Sequence, residues 1–299
     1  MARDESVPVI RSARRTRIAL MVAVTCFAAA ACAPAEKPAA TPAAQLTGYY
    51  ADASQPDISG FWLPQGTPMS RSWVVDGQPL VRDAGGAFIG MPYNEKWDAV
   101  YKARTSNNLE GRIYGEPHFN CWPRGMVHAY TGGNATMTLT QLPGRIVQIY
   151  EEQYQFREIF LDGRPHPSWT DPKSEDYLPT AFGHSVGHFE GDTLVVDTVG
   201  VRREFTLGFL APHSEALHVV ERIRRTEPGV LEVVLTVDDP VALTKPLTNR
   251  IVYSAAPADS RFVEDFCTDN LRNMVDVNGY VTTDLRPRKE FGWDLPPME

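Results

Sequence analysis

Apolar and polar residues alternate with a period of two along most of the chain between Ala135 and Ser254. This alternation is typical of β-strands that bury one face and expose the other. Pairs such as Pro143-Gly144 lie between the alternating segments and indicate tight turns. The segments that show the pattern are Ala135–Leu142, Arg145–Glu152, Tyr154–Leu161, His184–Phe189, Thr193–Val199, Leu217–Arg225, Val230–Val237 and Leu247–Ser254.

These eight strands, joined mostly by short turns, predict a mainly β fold built as an antiparallel up-and-down meander. A sheet of this length tends to close on itself, because closure removes the unpaired edge strands. A closed β-barrel is therefore the expected architecture, and a β-sandwich is the alternative.

Two segments outside the alternating region have helical spacing. In residues 94–108, Trp97 and Tyr101 fall on one helical face, and Asn94 stands where an N-cap is expected. Residues 262–275 predict a second short helix that packs against the barrel. The chain contains no internal repeat and no second linker, so residues 55–299 are predicted to form a single domain.

The N-terminus has the pattern of an exported lipoprotein. A basic segment precedes the apolar run Ile18–Ala31, which is too short to span a bilayer comfortably, so residues 1–31 are interpreted as a signal peptide. The sequence Ala-Ala-Ala-Cys that ends at Cys32 resembles a bacterial lipobox and implies cleavage before Cys32 and lipidation of its thiol. Residues 32–54 are rich in Ala and Pro and predict an extended tether. We therefore expect an exported protein, periplasmic or anchored to the outer membrane.

The charge balance argues against a nucleic-acid partner. Residues 1–31 hold five basic and two acidic residues, so removing them changes the formal net charge from −8 to −11. No basic patch with interleaved aromatic residues appears in the remaining chain. The lipid membrane, reached through the anchor, is the macromolecular partner that the sequence predicts.

Two cysteines remain after the signal peptide is removed and Cys32 is lipidated. They are Cys121 and Cys267, and thiols in an oxidising compartment often pair. A Cys121–Cys267 disulfide is the favoured interpretation, and two buried free thiols are the alternative.

The segment Leu217–Arg225 places an ionisable group among core positions. Glu221 shares a strand face with Leu217, Val219 and Ile223, so it points inward if that face lines the core. A buried glutamate must be paired or have a raised pKa, and a raised pKa suits a general acid or base. A structural ion pair, with Arg157 or Arg222, is the alternative.

The opposite face of the same strand carries His218 and Arg222, which become the site residues if that face is buried instead. The same ambiguity applies to Asp197, which shares a face with apolar neighbours. Asp197 is expected either to orient a histidine or to cap a turn.

The spacing of the histidines argues against a simple metal pair. His184 and His188 share a strand face but lie about 13 Å apart, because a strand rises about 3.3 Å per residue. A mixed site that combines one of them with His213, His218 and Glu221 stays open for zinc or iron. No metal or organic cofactor is otherwise implied. The Gly-His-Ser-Val-Gly string resembles a nucleophile elbow but precedes a β-hairpin, which argues against that role.

Two connections are long enough to act as lids, Asp162–Gly183 and Gly200–Ala216. The first carries Arg164 and His166, which are candidates for binding an anionic substrate group. A salt bridge that fastens the loop is the alternative for Arg164. The second connection carries His213, and His188 and Arg222 complete the predicted substrate-binding set.

Four strings resemble a family of secreted bacterial proteins that has no assigned activity. They are REIFLDGRPHP, GHSVGHFEGDTLVVDTVG, PHSEALHVVERIRR and DDPVALTKP, and the resemblance extends from about Pro117 to Asn270. The Gly-x-Trp at Gly60–Trp62 resembles the motif that closes one end of a lipocalin barrel. This second resemblance implies a lipocalin-like barrel with a cavity for a small apolar molecule.

Two functional hypotheses follow. The first is an envelope-anchored enzyme with acid–base chemistry, of the isomerase, lyase, hydratase or hydrolase kind, that acts on a small hydrophobic or aromatic molecule in a barrel cavity. Its catalytic candidates are Glu221, His218, His184 and Asp197. The second hypothesis is a lipocalin-like lipoprotein that binds or carries an apolar molecule without turnover.

Overall fold

The computed structural model describes residues 54–67, 70–109, 116–133, 135–263, 273–275 and 281–283. The predicted signal peptide, Cys32 and most of the predicted tether lie outside these residues. Cys267 also lies outside them, so its predicted disulfide with Cys121 stays a prediction. The predicted boundary of the single domain stays a prediction as well.

The structure is mainly β, as the alternation of residues predicts. The strands are β1 (Gly60–Pro64), β2 (Val74–Val75), β3 (Gln78–Pro79), β4 (Met137–Leu142), β5 (Arg145–Tyr150), β6 (Phe156–Phe160), β7 (His184–Glu190), β8 (Thr193–Val199), β9 (His218–Glu227), β10 (Val230–Asp238), β11 (Leu247–Ala255), β12 (Asn273–Val275) and β13 (Val281–Thr283).

Nine strands of the described chain close into a barrel in the order β1, β4, β5, β6, β7, β8, β9, β10, β11. Strand β1 closes it, because Trp62 pairs with Met137 of β4 on one side and with Ala255 of β11 on the other. The predicted barrel is therefore confirmed, and the alternative β-sandwich is not formed. The short β2–β3 hairpin adds to β11 at Thr248.

The barrel is mixed, and the prediction of a purely antiparallel meander is wrong at one place. Strands β6 and β7 run parallel, whereas the other neighbouring barrel strands are antiparallel. A tight hairpin can only join antiparallel strands, but a long connection can return the chain to the same end of the sheet. The connection 161–183 returns the chain in this way, so that β7 runs parallel to β6.

The helices are few and short. Helix α1 (Glu95–Leu109) begins after Asn94, whose Oδ1 accepts a hydrogen bond from the Trp97 N–H at 3.2 Å. Helix α2 (His128–Thr131) has a single turn. The predicted C-terminal helix is wrong at its end, because Asn273–Val275 forms β12 and pairs with β13.

The helices within the described ranges do not reach the length and apolarity that crossing a membrane requires.

The inward face of the barrel is a packed core. Strand β10 contributes Leu231, Val233, Leu235 and Val237, each with no exposed surface. Burial of one such side chain contributes about 1.5–3 kcal/mol, so this strand alone is a substantial part of the stabilisation. The second long connection, from Gly200 to Ala216, is largely buried. It packs into the core and is not an open lid.

The turn into β7 depends on a glycine. Gly183 has φ +65°, and an added Cβ would lie 2.4 Å from the backbone oxygen of Val199. Gly163 has a similar φ of +76° with nothing within 4 Å of the same position.

We therefore expect Gly183→Ala to lower the free energy of unfolding by about 2 kcal/mol or more, because backbone strain and overpacking add. Gly163→Ala, which adds only the strain, is expected to cost about 1 kcal/mol. Urea denaturation of both variants measures the difference. Equal losses would contradict the steric argument.

Candidate functional site

A cleft of about 690 Å³ opens beside the parallel strands. Strands β6 and β7 pair at only two positions, Ile159 with Ser185 and Phe160 with Val186. The first half of β6 therefore has no partner in β7, and the long connection 161–183 forms the opposite wall. The parallel pairing thus creates the cleft that an antiparallel meander would have closed.

Aromatic side chains make up much of the wall of this cleft, and polar groups lie among them. Phe182 stacks on Tyr150 at 6.0 Å between ring centroids, which holds it in place. The aromatic wall residues are Phe156, Phe160, Trp169 and Phe182, and the polar ones include Arg157, Glu158, Arg164, His184 and Ser185. The arrangement suits a small molecule with an apolar or aromatic body.

His184 is the histidine that lines the cleft, and it is only 8% exposed. Its ring stacks on Phe160 at 5.3 Å and meets the edge of Trp169 at 5.6 Å. Burial lowers the pKa of His184, and the neighbouring His166 lowers it further. The imidazole is therefore neutral at neutral pH.

A chain of hydrogen bonds leads from His184 to the protein surface. His184 Nδ1 lies 2.9 Å from His166 Nδ1, and His166 Nε2 lies 3.0 Å from Asp197 Oδ1. The second oxygen of Asp197 lies 3.0 Å from His218 Nε2. The hydrogen bonds from His166 and His218 hold the pKa of Asp197 well below its usual range, and Asp197 in turn raises the pKa of His218.

The Asp197 carboxylate determines which ring nitrogen of His166, and then of His184, carries the proton. Because ionised Asp197 only accepts, His166 donates through Nε2–H, and its Nδ1 is left as an acceptor when the ring is neutral. His184 then donates through Nδ1–H, which leaves the lone pair of its Nε2. That nitrogen makes no hydrogen bond to another residue within the described ranges.

Strand alternation places three of these groups on the outer face of the barrel. His184 of β7, Asp197 of β8 and His218 of β9 alternate with inward residues such as Thr198, which pairs with Ser185. The fourth group, His166, comes from the long connection that covers this face. Only the tertiary structure brings His166 between Asp197 and His184.

Glu221 lies inside the barrel in an ion pair with Arg157. Both oxygens of its carboxylate accept from Arg157, at 2.8 Å from Nη1 and 2.5 Å from Nη2, and both residues are buried. Arg157 also donates to Gln148 at 2.7 Å and contacts Ser185 and Tyr130 at 3.3 Å. The inward direction of Glu221 follows the alternation, and its partner is one of the two arginines that the sequence left open.

The groups of this interior network keep fixed protonation states. Burial is the largest single effect and lowers the pKa of Arg157, but the charge and hydrogen bonds of Glu221, together with Tyr130 and Tyr150, outweigh it and raise that pKa above its ordinary value. Burial, followed by the field of Glu221, raises the pKa of Tyr130 far above its ordinary value, so its hydroxyl stays protonated. Glu221 is thus paired and lies apart from the histidine chain in the hydrogen-bond network.

Four of the five predicted substrate-binding residues do not line the cleft, and of these four only His166 belongs to the hydrogen-bond chain. His188 and Arg222 lie on the outer face, where both contact Glu190, at 3.3 and 2.9 Å. His213 is fully buried, and its Nδ1 lies 2.7 Å from the Ser214 carbonyl oxygen. The prediction that these last three residues join the site is not supported by their positions.

Arg164 does line the cleft, but its guanidinium is already engaged. It contacts both oxygens of Asp162 and lies 3.8 Å over the ring of Phe160. The hydrogen bond from Arg164 lowers the pKa of Asp162 to about 2. This contact fastens the start of the connection, as the structural alternative for Arg164 predicts.

No group of three or more His, Cys, Asp and Glu side chains within the described ranges is arranged to hold a metal ion.

A second polar cluster, centred on Arg124, was not found from the sequence. Arg124 contacts Glu152 at 2.6 Å, His118 at 2.9 Å and His128 at 3.2 Å. His128 also lies 3.4 Å from Glu116. The spacing of four residues between Arg124 and His128 was a usable signal, but it lies in a Gly- and Pro-containing segment without helical periodicity.

The Arg124 cluster is expected to make the folded protein less stable at acidic pH. Burial, then the positive charge of Arg124, lowers the pKa of His118 from 6.5 to about 4, and the nearby Glu116 and Glu152 oppose this less strongly. Because the unfolded chain binds the proton first, the free energy of unfolding falls as the pH drops from 6.5 to 4, by on the order of 2 kcal/mol. His118→Gln is expected to flatten this slope in urea denaturation at several pH values. His188→Gln, at an exposed position, is the control, and an unchanged slope in His118→Gln would contradict the assignment.

Comparison of the chain with protein-family models, with curated proteins and with solved structures finds no match. The resemblance to a family of secreted bacterial proteins stays a prediction. The closed β-barrel is compatible with a ligand-binding fold of the lipocalin kind, and the geometry of the cleft is the remaining indication of function.

Proposed function

We propose that the protein binds a small apolar or aromatic molecule in the cleft and performs general acid–base chemistry on it, of the isomerase, lyase or hydratase kind. One observation carries this proposal. The hydrogen-bond chain Asp197–His166–His184 ends in an aromatic-walled cleft.

His184 has the properties of a general base in this proposal. Its lowered pKa keeps it neutral at neutral pH, and the carboxylate of Asp197, acting through His166, assigns the tautomer with a lone pair on Nε2. A base of this kind takes a proton from an acidic carbon of the substrate and returns it to another atom. Such proton transfer accelerates a reaction by about 10²–10⁴-fold.

His166 and Asp197 are positioning residues. Removal of a proton from the substrate leaves His184 positively charged, and the Asp197 carboxylate, through His166, stabilises that charge. His218 Nε2 lies 3.0 Å from the second carboxylate oxygen of Asp197, the one that does not contact His166. The interior Glu221, which is fully engaged with Arg157, supports the wall of the cleft and takes no part in the proton transfer.

A second candidate function is binding of the same class of ligand without turnover. The closed barrel is compatible with it, because lipocalin-like barrels carry apolar molecules. Here the barrel interior is packed, so the ligand would occupy the cleft beside β6 and β7. In that case the histidine chain orients the ligand by hydrogen bonds alone.

Native mass spectrometry with a panel of small aromatic and apolar compounds tests ligand binding. We expect one or more compounds to be retained, and Trp169→Ala to weaken retention by about tenfold or more, because an aromatic contact in the wall of the cleft is lost. Trp122→Ala is the matched control, since Trp122 is partly exposed and does not line the cleft. No retained compound, or equal retention by both variants, would overturn the proposal.

We also propose that the protein is anchored in the cell envelope through a lipid on Cys32. The support is the sequence alone: a basic segment, a short apolar run and the Ala-Ala-Ala-Cys string. Fractionation of cells that express the wild type and Cys32→Ser tests this. We expect the wild type in the membrane fraction and the variant in the soluble exported fraction; the same distribution for both would contradict the anchor.

A further inference from the structure

A second niche, of about 260 Å³, lies beside the Arg124 cluster. Two consecutive glycines, Gly132 and Gly133, bring the backbone close to side chains of the Arg124 cluster. An added Cβ on Gly132 would lie 2.2 Å from His128 Nε2, and one on Gly133 would lie 2.0 Å from Glu152. The lining residues are Arg82, Gly85, Gly86, Arg124, His128, Thr131, Gly132, Gly133 and Phe209.

Arg82 forms one wall of this niche and is held rigidly. Its guanidinium lies 3.7 Å over the ring of Phe88, and Nη1 donates to the Gly86 carbonyl oxygen at 2.8 Å. Its Nη2 donates to the Arg71 carbonyl oxygen at 3.5 Å, its Nε is buried without a hydrogen-bond partner, and it forms no ion pair with another residue in the described ranges. Burial lowers the pKa of Arg82, and the positive charge of Arg71 lowers it as well.

Arg71 lies directly behind the niche. It is 3% exposed, and Nη2 donates to the carbonyl oxygen of Gly133 at 2.6 Å. Its Nε and Nη1 have no hydrogen-bond partner, and it too makes no ion pair within the described ranges. A buried guanidinium without a counter-ion is costly, so two of them beside one niche require an explanation.

The acidic side chains nearby are already engaged with other partners. Glu152 pairs with Arg124 at 2.6 Å, and Glu116 contacts His128 at 3.4 Å. Asp83 accepts hydrogen bonds from two backbone N–H groups of its own turn. Neither Arg71 nor Arg82 has a carboxylate in direct contact, although the charge of Glu152 acts on Arg71 from a distance, and both guanidinium groups keep N–H groups without a partner.

We propose that this niche binds a small oxyanion, the carboxylate or phosphate group of a ligand, against Arg82 and Arg124. The charge of Arg71 adds to the attraction from behind the Gly133 backbone. This site is separate from the cleft beside β6 and β7, and the proposal does not depend on the chemistry of His184.

Thermal unfolding of the purified protein in sodium phosphate, sodium acetate and sodium chloride at equal ionic strength tests the proposal. We expect a saturable rise of the melting temperature with an oxyanion that chloride does not produce. A rise with both anions indicates general oxyanion recognition, and a rise with only one identifies the preferred group. No rise above chloride with either anion would overturn the proposal.

A pair of variants tests the position of the site. Arg82→Gln is expected to weaken the apparent affinity for the anion about tenfold or more, because a charged hydrogen-bond donor is removed. Arg250→Gln removes an exposed arginine that pairs with Glu232 elsewhere and is expected to bind as the wild type does. Equal affinity of the two variants would contradict the assignment. If Arg82→Gln does not fold, titration calorimetry of the wild type with phosphate against chloride decides the question, since absence of saturable heat refutes the site.

Discussion

Replacement of Glu221 by glutamine is expected to lower the free energy of unfolding by about 3–5 kcal/mol, the cost of breaking a buried ion pair from one side. The substitution leaves the Arg157 guanidinium charged and enclosed, because Glu221 supplies both of its carboxylate contacts. Urea denaturation followed by circular dichroism measures the loss. The expected loss is large because this ion pair is buried. An ion pair exposed to solvent contributes about 1 kcal/mol or less.

Two further variants separate the ion pair from a catalytic role. Glu227→Gln removes an exposed carboxylate from the same strand and is expected to leave stability nearly unchanged. The double variant Arg157→Met/Glu221→Leu is expected to recover most of the loss, because it removes both charges together. A Glu221→Gln protein as stable as Glu227→Gln would contradict the structural role and restore Glu221 as a candidate acid or base.

Replacement of His184 by alanine is expected to slow proton transfer from a bound carbon acid by about 10²–10⁴-fold. His184 is the base at the end of the hydrogen-bond chain, and neither His166 nor His218 lines the cleft. The measurement is the exchange of α-protons of a retained carbonyl compound with deuterium from the solvent, followed by NMR. It requires no knowledge of the complete reaction.

His188→Ala is the matched control for this prediction, because His188 lies on the same strand and the same face but is exposed. Asp197→Asn is expected to reduce the exchange rate less than His184→Ala does, because Asp197 acts on His184 only through His166. Ligand binding by Asp197→Asn is expected to stay nearly unchanged. If His184→Ala and His188→Ala exchange at the same rate while a ligand is still bound, the protein is a binding protein and the acid–base proposal fails.

The sequence predicted some residues of the site but not the contacts between them. Alternation put Glu221 and His218 on opposite faces of one strand, but the sequence still grouped Glu221, His218, His184 and Asp197 as one catalytic set. The structure separates Glu221 from the other three. It did not predict that His166 lies between Asp197 and His184, because that contact joins a long connection to two strands. The three arginines around the second niche were also missed, since they are distant in the chain and lie in segments without periodicity.

The pattern of apolar and polar residues predicted eight of the nine barrel strands and favoured a closed barrel, because burial of one strand face is a local property of period two. It left open which face of β9 points inward. The tertiary structure decided the parallel pairing of β6 and β7, and with it the cleft. The direction in which a long connection returns is set by how the whole sheet closes, and no local pattern contains that information. The partners of each ionisable side chain depend on the same closure.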